Sequence, residues 1–144
     1  MIVREYIDAR DRQAVVSLWK QAFGYSSPHN DPLFAIDQKL KFGDGLFFVA
    51  TETDELLGTV MAGYDGHRGW IYSLAVIPGR RNHGVGAALL RQAESALVAK
   101  GCPKVNLQIL DTNAATIGFY EKQGYIVEPR ISMGKKLHPP AKPR

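Results

Sequence analysis

The sequence predicts one domain of the α/β (α+β) class, built on a mixed, twisted sheet of about six to seven strands with about four flanking helices. Two observations support this prediction. Short runs rich in branched and aromatic residues are interspersed with runs of helical periodicity. Over residues 70–110, a strand, a glycine-rich loop, a helix and a second strand follow one another, which is the order of a βαβ unit with parallel strands. A chain of 144 residues, 45% of them hydrophobic, has the size of one such domain.

The N-terminal part predicts a strand followed by a helix. Residues 1–7 (MIVREYI) contain β-forming residues, and Asp8 and Asp11 stand after them as caps of the first helix. The apolar residues of this helix recur at helical spacing and are Ala14, Val15, Leu18 and Phe23. Turn formers in residues 24–32 end the helix.

A second helix and three strands follow. Asp31 caps this helix, Pro32 suits its first turn, and the helix runs to about Phe42. From Gly45 the pattern changes to three short runs of branched and aromatic residues separated by polar turns, at residues 46–52, 55–66 and 69–77. Such a pattern is typical of an antiparallel meander.

The C-terminal half predicts a helix, a strand, a helix and a strand in that order. The helix within residues 79–101 ends at Lys100-Gly101 and carries one apolar stripe, formed by Val85, Leu89, Ala93, Ala96 and Leu97. A strand over residues 105–110, a short helix over residues 113–124 and a last strand over residues 125–137 complete the domain.

The positive charge of the chain lies at its C-terminal end. The formal net charge is +4, yet residues 135–144 (KKLHPPAKPR) contain four basic residues and no acidic one. Residues 1–134 therefore hold equal numbers of basic and acidic residues, 14 of each. We expect a neutral domain over residues 1–134 and a flexible basic tail over residues 135–144. Nucleic-acid binding is not expected, because it usually needs Lys and Arg clustered on a folded face.

Other features of the sequence bear on location and chemistry. Cys102 is the single cysteine, which excludes an internal disulfide framework. No apolar run approaches the roughly 20 residues that cross a membrane, and no signal peptide is visible. We therefore expect a cytoplasmic protein with no membrane partner and no metal.

Residues 81–87 (RNHGVGA) form a glycine-rich loop that leads into the third helix. Glycines let the backbone pass close to a ligand, and the helix presents unpaired N–H groups at its positive end. A dinucleotide fingerprint would need a third glycine where the chain has Leu89, and the triphosphatase string G-x-x-x-x-G-K-S/T does not occur. The loop therefore indicates binding of a phosphate-containing ligand outside these two classes. An ordinary turn before a helix is the alternative.

Two segments resemble signatures of the GNAT family of N-acetyltransferases. The pattern R/Q-x-x-G-x-G/A is matched by Arg81, Gly84 and Gly86. A second pattern, similar to N-x-x-A-I-x-L-Y-E-K-x-G-F, has Thr116 for its usual alanine and is otherwise matched by Asn113, Ile117, Phe119, Tyr120, Glu121, Lys122, Gly124 and Tyr125. Residues 64–69 (YDGHRG) resemble the small, bacterial YpeA-like branch of this family.

The resemblance implies a GNAT fold and acetyl-CoA as co-substrate. In that family the loop grips the CoA pyrophosphate, and two parallel strands, here ending near Val76 and Ile109, splay apart around the pantetheine. The backbone at Leu74 and Val76 would pair with the pantetheine like an extra strand, and a nearby N–H would stabilise the oxyanion. A strand that pairs only within the protein is the alternative. The implied cofactor-binding residues are Leu74, Ala75, Val76, Arg81, Asn82, His83, Gly84, Val85, Gly86, Ala87 and Asn113.

Tyr120 occupies the position of the family's catalytic tyrosine, which implies that it is the general acid. A tyrosine with an ordinary pKa near 10 stays protonated at neutral pH, so it can donate a proton to the departing CoA thiolate. The alternatives are that Tyr120 only packs on an amphipathic helix and that Asn113 is only a helix cap.

The acceptor implied by the resemblance is a primary amine of a small molecule or a protein. No general base is assigned, because residues 70–77 (WIYSLAVI) contain no carboxylate, so a water relay is left open. Asp65-Gly66 reads as a hairpin turn, and His67 lies roughly 23 Å along the strand from Leu74, too far for direct proton transfer. The acceptor is expected to meet the loop between the first two helices, at Tyr25, His29, Asn30 and Asp31, with a loop that is only solvated as the alternative.

Direct transfer in a ternary complex is predicted over a route through an acetyl-cysteine. Cys102 stands between a helix end and a strand start, at the opposite end of the βαβ unit from the glycine-rich loop. The alternative function is a CoA-binding regulatory or interaction module without turnover. A homodimer is left open.

Overall fold

The structure, a computed structural model, describes residues 1–24 and 31–137. Its strands are β1 (Ile2–Glu5), β2 (Phe47–Glu52), β3 (Glu55–Tyr64), β4 (Gly69–Val76) and β5 (Val105–Leu107). Its helices are α1 (Asp8–Phe23), α2 (Pro32–Phe42), α3 (Val85–Ala99) and α4 (Ala114–Lys122). The four predicted helices are confirmed.

The five strands form one mixed sheet in the order β1-β2-β3-β4-β5. The first four strands pair antiparallel in sequence order, as the meander pattern predicts. Strand β5 pairs parallel with β4 after the chain crosses over through α3, so the predicted βαβ unit is confirmed.

The last predicted strand, over residues 125–137, is wrong: the structure forms no strand there, and the described sheet has five strands rather than six or seven. The segment lies beside β5 through side chains, with Glu128 bound to Lys104 and Asn106. No backbone ladder joins them, and Pro129 has no N–H to donate to one. Its apolar side chains are not covered by other described residues either, and Ile126, Val127, Ile131 and Met133 are all more than 70% exposed.

Helices cover both faces of the sheet. Helix α3 packs on one face, where Leu89 and Leu97 are fully buried against Leu57 and Ile71 of the sheet. Helices α1 and α2 pack on the other face, with a second core formed by Tyr6, Val15, Leu18, Trp19, Ile36, Phe47, Val49, Met61 and Ala75. Because both faces are covered, β2 reads as a continuous apolar run instead of alternating with polar residues.

The predicted N-terminal caps of the first two helices are confirmed in part. Helix α2 is capped as predicted, with the Asp31 carboxylate accepting from the Leu33 N–H. The N-cap residue of helix α1 is Ile7, whose side chain makes no capping bond, so the prediction of Asp8 or Asp11 at that position is wrong. Asp11 instead accepts the Ile7 N–H at 2.8 Å from within the helix and binds the Arg4 guanidinium through two contacts of 2.8 Å.

Candidate functional site

Strands β4 and β5 pair over only three residues and then part. Gly69–Ile71 pairs with Val105–Leu107, whereas β4 continues to Val76. On the side facing β5, residues 72–76 therefore have no strand partner within the described part of the chain. The opening lies at the carboxyl ends of two parallel strands, which is where ligands bind in sheets of this kind.

A β-bulge interrupts β4 at this opening. Ser73 has a φ of +53°, an unusual value for a residue other than glycine, and the register with β3 shifts between Thr59 and Met61. The Thr59 hydroxyl donates to the Ser73 carbonyl oxygen at 2.9 Å. The indole N–H of Trp19 donates in turn to the Thr59 hydroxyl at 2.8 Å, so a buried relay from α1 holds the bulge.

The bulge changes which way the following side chains face. Ala75 packs in the core under α1 and α2, whereas Leu74 and Val76 pack against the core under α3. Simple alternation from Tyr72 would place Leu74 rather than Ala75 on the α1 and α2 face. Sequence analysis missed this feature, since a serine in this conformation leaves no recognisable pattern.

The glycine-rich loop ends at the start of α3 and leaves donors free there. Gly84, at the N-cap, has a φ of +83°, a conformation that favours glycine, and no side chain caps the helix. The N–H groups of Val85, Gly86 and Ala87 donate to no protein acceptor among the described residues. Together with the positive end of the helix dipole, they form a site suited to an anion.

Gly86 has a packing role that the sequence did not indicate. A Cβ atom placed there would lie 3.3 Å from Cζ of Phe119 and 3.7 Å from Cγ2 of Val76. The absence of a side chain therefore lets α3 approach α4 and β4 closely. A Cβ at Gly84 would meet nothing within 4 Å, so at that position the backbone conformation is what requires glycine.

Tyr120 lies in α4, in the same core as the start of α3. Its side chain is 7% exposed and makes edge-on contacts with Phe119 and Tyr125, at ring-centroid distances of 5.1 and 5.4 Å. The Tyr125 hydroxyl donates to the Glu94 carboxylate at 2.6 Å, which ties the segment after α4 to α3. Burial raises the pKa of Tyr120 to about 12, so its hydroxyl holds its proton more strongly than a tyrosine in water.

Asn113 caps the helix that carries Tyr120. Its side-chain oxygen accepts from the Thr116 N–H at 3.2 Å, the capping role left open by the sequence. Arg81, the first residue of the predicted loop, contacts the Val76 carbonyl oxygen through Nε at 3.4 Å. Arg81 of the first signature thus joins the loop to the end of β4. Phe119 of the second signature packs on Gly86.

A cleft of about 920 Å³ opens on the other face of the sheet, between α1, α2 and strands β3 and β4. Ser73 lines it, so the cleft reaches the bulge from the side opposite α3. Of the residues predicted to meet an acceptor, Tyr25, His29 and Asn30 lie outside the described residues, and Asp31 caps α2.

The turn between β3 and β4 has the structural role that the sequence suggested. The Asp65 carboxylate accepts from the N–H groups of Arg68 and His67, each at 2.7 Å, and these bonds hold the pKa of Asp65 below its usual range. Cys102 is buried beside Gly69, at the end of β4 remote from the glycine-rich loop.

Two further findings concern the described parts of the chain, residues 1–24 and 31–137. No three His, Cys, Asp or Glu side chains there come close enough together to hold a metal ion. None of the helices in these ranges has the length and apolar character needed to span a bilayer.

The chain is similar to known acetyltransferases. Residues 12–125 match the acetyltransferase (GNAT) family. An acetyltransferase from Pectobacterium atrosepticum is 43% identical over 127 residues, covering 88% of this chain and 89% of that protein. The chain belongs to the GNAT acetyltransferase family.

Solved structures share the fold at low sequence identity. Ard1 from Thermoplasma volcanium has a TM-score of 0.76 and 22% identity, over 88% of this chain and 83% of that one. The aminoglycoside N-acetyltransferase AAC(6')-Iy in complex with CoA has a TM-score of 0.77 and 18% identity, over 94% of this chain and 93% of that one. These likenesses confirm the fold class.

Proposed function

We propose that the protein is an N-acetyltransferase that moves the acetyl group of acetyl-CoA directly to a primary amine of a small molecule or a protein, within a ternary complex. One observation carries the proposal. The free N–H groups at the start of α3, the unpaired side of β4 and the helix bearing Tyr120 adjoin one another, with Phe119 packed on Gly86. The family resemblance assigns the pyrophosphate, the pantetheine and the general acid to these three features.

The loop is the proposed site of the CoA pyrophosphate. The N–H groups of residues 82–87 would bind it at the positive end of α3, and Arg81 adds a cation beside the end of β4. The pantetheine would lie beside residues 74–76, where β4 lacks a partner toward β5, and take up the backbone groups of that strand. Asn113, at the start of α4, is the remaining proposed contact.

Tyr120 is the proposed general acid. The amine nitrogen attacks the thioester carbon, the C–N bond forms and the C–S bond breaks, and the leaving thiolate takes the Tyr120 proton. The amine gives up its own proton to water, and water returns a proton to the Tyr120 oxygen, which restores the acid. A pKa of about 12 keeps the tyrosine protonated at neutral pH, so its hydroxyl is in the proton-donating form.

An acetyl-cysteine intermediate is not part of the proposal. Cys102 is buried at the far end of β4, where its Sγ lies 3.3 Å from the Lys104 carbonyl oxygen. A thiol so placed does not reach an acyl group held near residues 74–76. The YpeA-like branch and a cytoplasmic location stay predictions, and the oligomeric state stays open.

Release of free CoA from acetyl-CoA is the experiment that tests turnover. The purified protein is assayed against polyamines, amino acids, aminoglycosides, aromatic amines and peptide N-termini. Release that depends on the acceptor establishes the enzyme. Acetyl-CoA binding without release in the presence of any acceptor would contradict the proposal and favour a regulatory or interaction module.

The cofactor site is tested separately by a pair of variants at Gly84. Asn and Asp both tolerate a positive φ, so Gly84→Asn is a neutral match for Gly84→Asp. The Asp carboxylate would stand beside the free N–H groups and repel a pyrophosphate. We expect Gly84→Asp to bind CoA at least about tenfold more weakly than Gly84→Asn in calorimetry. Equal affinities would place the pyrophosphate elsewhere.

A further inference from the structure

We propose that the acceptor is a primary amine carried on an aromatic body, bound in the cleft between α1, α2 and strands β3 and β4. This inference rests on the proposed acetyl transfer and names the substrate class of that reaction. The cleft reaches Ser73 at the bulge, next to Leu74, where the thioester is expected to lie. Its volume of about 920 Å³ is within the usual range for small-molecule sites.

Aromatic rings form a large part of the lining of this cleft, and four of them are exposed. Seven of the seventeen residues that line it are aromatic. Trp70 and Tyr72 stand two residues apart on β4, so both face the cleft, and they are 38% and 42% exposed. Phe23 and Phe42, on the two helices, are 54% and 72% exposed. These rings offer water-facing surface that a flat apolar ligand would cover.

The charges of the described lining favour a cation. The Lys39 ammonium donates to the Asp44 carboxylate at 2.9 Å and to the Ala62 carbonyl oxygen, so this pair is neutral and internally satisfied. Asp65 forms no ion pair within the described residues. Its ionised carboxylate leaves the described lining with a net negative charge, which attracts an ammonium ion.

Asp65 also fixes the ring of Trp70. The indole N–H donates to the Asp65 carboxylate at 3.2 Å, in addition to the two backbone bonds that this carboxylate accepts. The ring is thereby held at the cleft with little freedom to reorient. From Trp70 to Ser73 the strand advances about 10 Å. An amine nitrogen at the bulge would therefore place an attached ring against Tyr72 and Trp70.

The same lining fits two other classes of amine poorly. An aminoglycoside brings several ammonium groups, and only Asp65 is a carboxylate without a basic partner among the described lining residues. A sugar phosphate needs a free cation, whereas Lys39, the only basic residue of that lining, is already bound to Asp44. An aromatic amine with one ammonium group needs neither several unpaired carboxylates nor a free basic side chain.

Turnover with matched acceptors tests the inference. We expect kcat/KM for phenethylamine and tryptamine to exceed that for ethanolamine, glucosamine 6-phosphate and an aminoglycoside by about tenfold or more. Trp70→Ala and Tyr72→Ala should raise KM for tryptamine about tenfold and leave KM for acetyl-CoA unchanged. Val98→Ala, which shortens a side chain 70% exposed on α3, is the control and should change neither value.

Direct binding separates this inference from the proposed function. Calorimetry measures the affinity of phenethylamine for the CoA-bound protein and for the Trp70→Ala and Tyr72→Ala variants. Binding that both variants weaken, without turnover of any amine, would support the aromatic cleft and contradict the acetyl transfer. Faster turnover of the hydrophilic amines, or phenethylamine affinity equal in the variants and the wild type, would overturn the inference and leave the acetyl transfer standing.

Discussion

Tyr120 combines deep burial with a hydroxyl that makes no hydrogen bond to the described residues. The sequence indicated the residue and its helix through the second signature. The raised pKa was not predictable from the sequence, because it arises from desolvation by a core that includes Phe119 and Tyr125. The spacing of residues along a helix does not indicate how completely the side chains around Tyr120 exclude water.

Replacing Tyr120 by Phe should remove the acid while keeping the packing. We expect kcat to fall by about a hundredfold and KM for acetyl-CoA to stay nearly unchanged. Because burial raises the pKa of Tyr120 to about 12, wild-type turnover should show no loss from ionisation of this hydroxyl below about pH 11. Tyr6→Phe, which removes a hydroxyl bound to Asp8 on the other side of the sheet, is the control. Equal kcat in both variants would remove Tyr120 from the mechanism.

Gly86→Ala tests the close approach of α3 to α4. Helix propensity favours Ala by about 1 kcal/mol, and the contact with Phe119 at 3.3 Å opposes it, so the free energy of unfolding should change by less than about 1 kcal/mol. The added methyl enters the space beside Val76, where the pantetheine is proposed to pass. We therefore expect weaker acetyl-CoA binding, and partial recovery when Phe119→Leu is combined with it. Unchanged affinity in calorimetry would show that the cofactor does not pass there.

At the scale of elements, the bulge in β4 depends on a contact from α1. The sequence predicted α1 and β4 as separate elements, and Trp19 and Ser73 are too far apart along the chain for any pattern to join them. Only the packing of α1 on the sheet brings Trp19 to Thr59 and Thr59 to the Ser73 carbonyl. Tertiary hydrogen bonds of this kind are invisible to periodicity.

Thr59→Val should weaken both the fold and the reaction. The variant leaves the Trp19 N–H without its acceptor and the Ser73 carbonyl without this donor, at a cost of about 1–3 kcal/mol in urea unfolding. A looser bulge should also lower kcat. Thr51→Val is a matched change at a buried threonine of β2 whose hydroxyl makes no hydrogen bond in the described part of the chain, so it should be near neutral. Equal losses in the two variants would argue against the relay.

The predicted strand over residues 125–137 shows the limit of patterning at this scale. A run of β-forming residues indicates an extended segment, but not whether a neighbouring strand pairs with it or covers its side chains. The prediction of helix α2 was correct because its signals do not depend on neighbouring elements. Its cap, Asp31, and its first residue, Pro32, act locally, so they needed no tertiary context.

For the molecule as a whole, the mixed sheet was predictable because the crossover rule leaves few arrangements for a meander followed by a βαβ unit. The parting of β4 and β5 was implied only by the family resemblance. The aromatic cleft was not predicted, because its residues come from α1, α2, β3 and β4 and converge only once both helices lie on one face.

Strand β1 is joined to helix α1 by the ion pair of Arg4 and Asp11, whose contribution to stability depends on pH. Burial of Asp11 opposes its ionisation, but hydrogen bonds from Arg4 and the Ile7 N–H outweigh this effect and hold the pKa of Asp11 below its usual range. A lowered folded-state pKa contributes stability that is present at neutral pH and lost as pH falls through that value. Urea unfolding should therefore show declining stability below about pH 4.

Asp11→Asn should remove part of that acid sensitivity. At pH 7 the variant should be less stable by about 1–3 kcal/mol, and the difference from the wild type should shrink at pH 3. Asp54→Asn is the control, since Asp54 is 91% exposed and pairs only loosely with Arg10. If the difference in free energy of unfolding between the wild type and Asp11→Asn stays constant with pH, the Asp11 charge is not the cause of the acid sensitivity.

The two tryptophans differ in exposure, Trp19 at 3% and Trp70 at 38%, and the chain has no others. Their fluorescence should therefore divide into a component from Trp19 that is shielded from acrylamide and one from Trp70 that is open to quenching. Trp19 reports on the bulge through Thr59, and Trp70 reports on the cleft. Trp19→Phe and Trp70→Phe would separate the two signals, so one protein without any attached dye can follow the bulge and the outer part of the cleft as ligands bind.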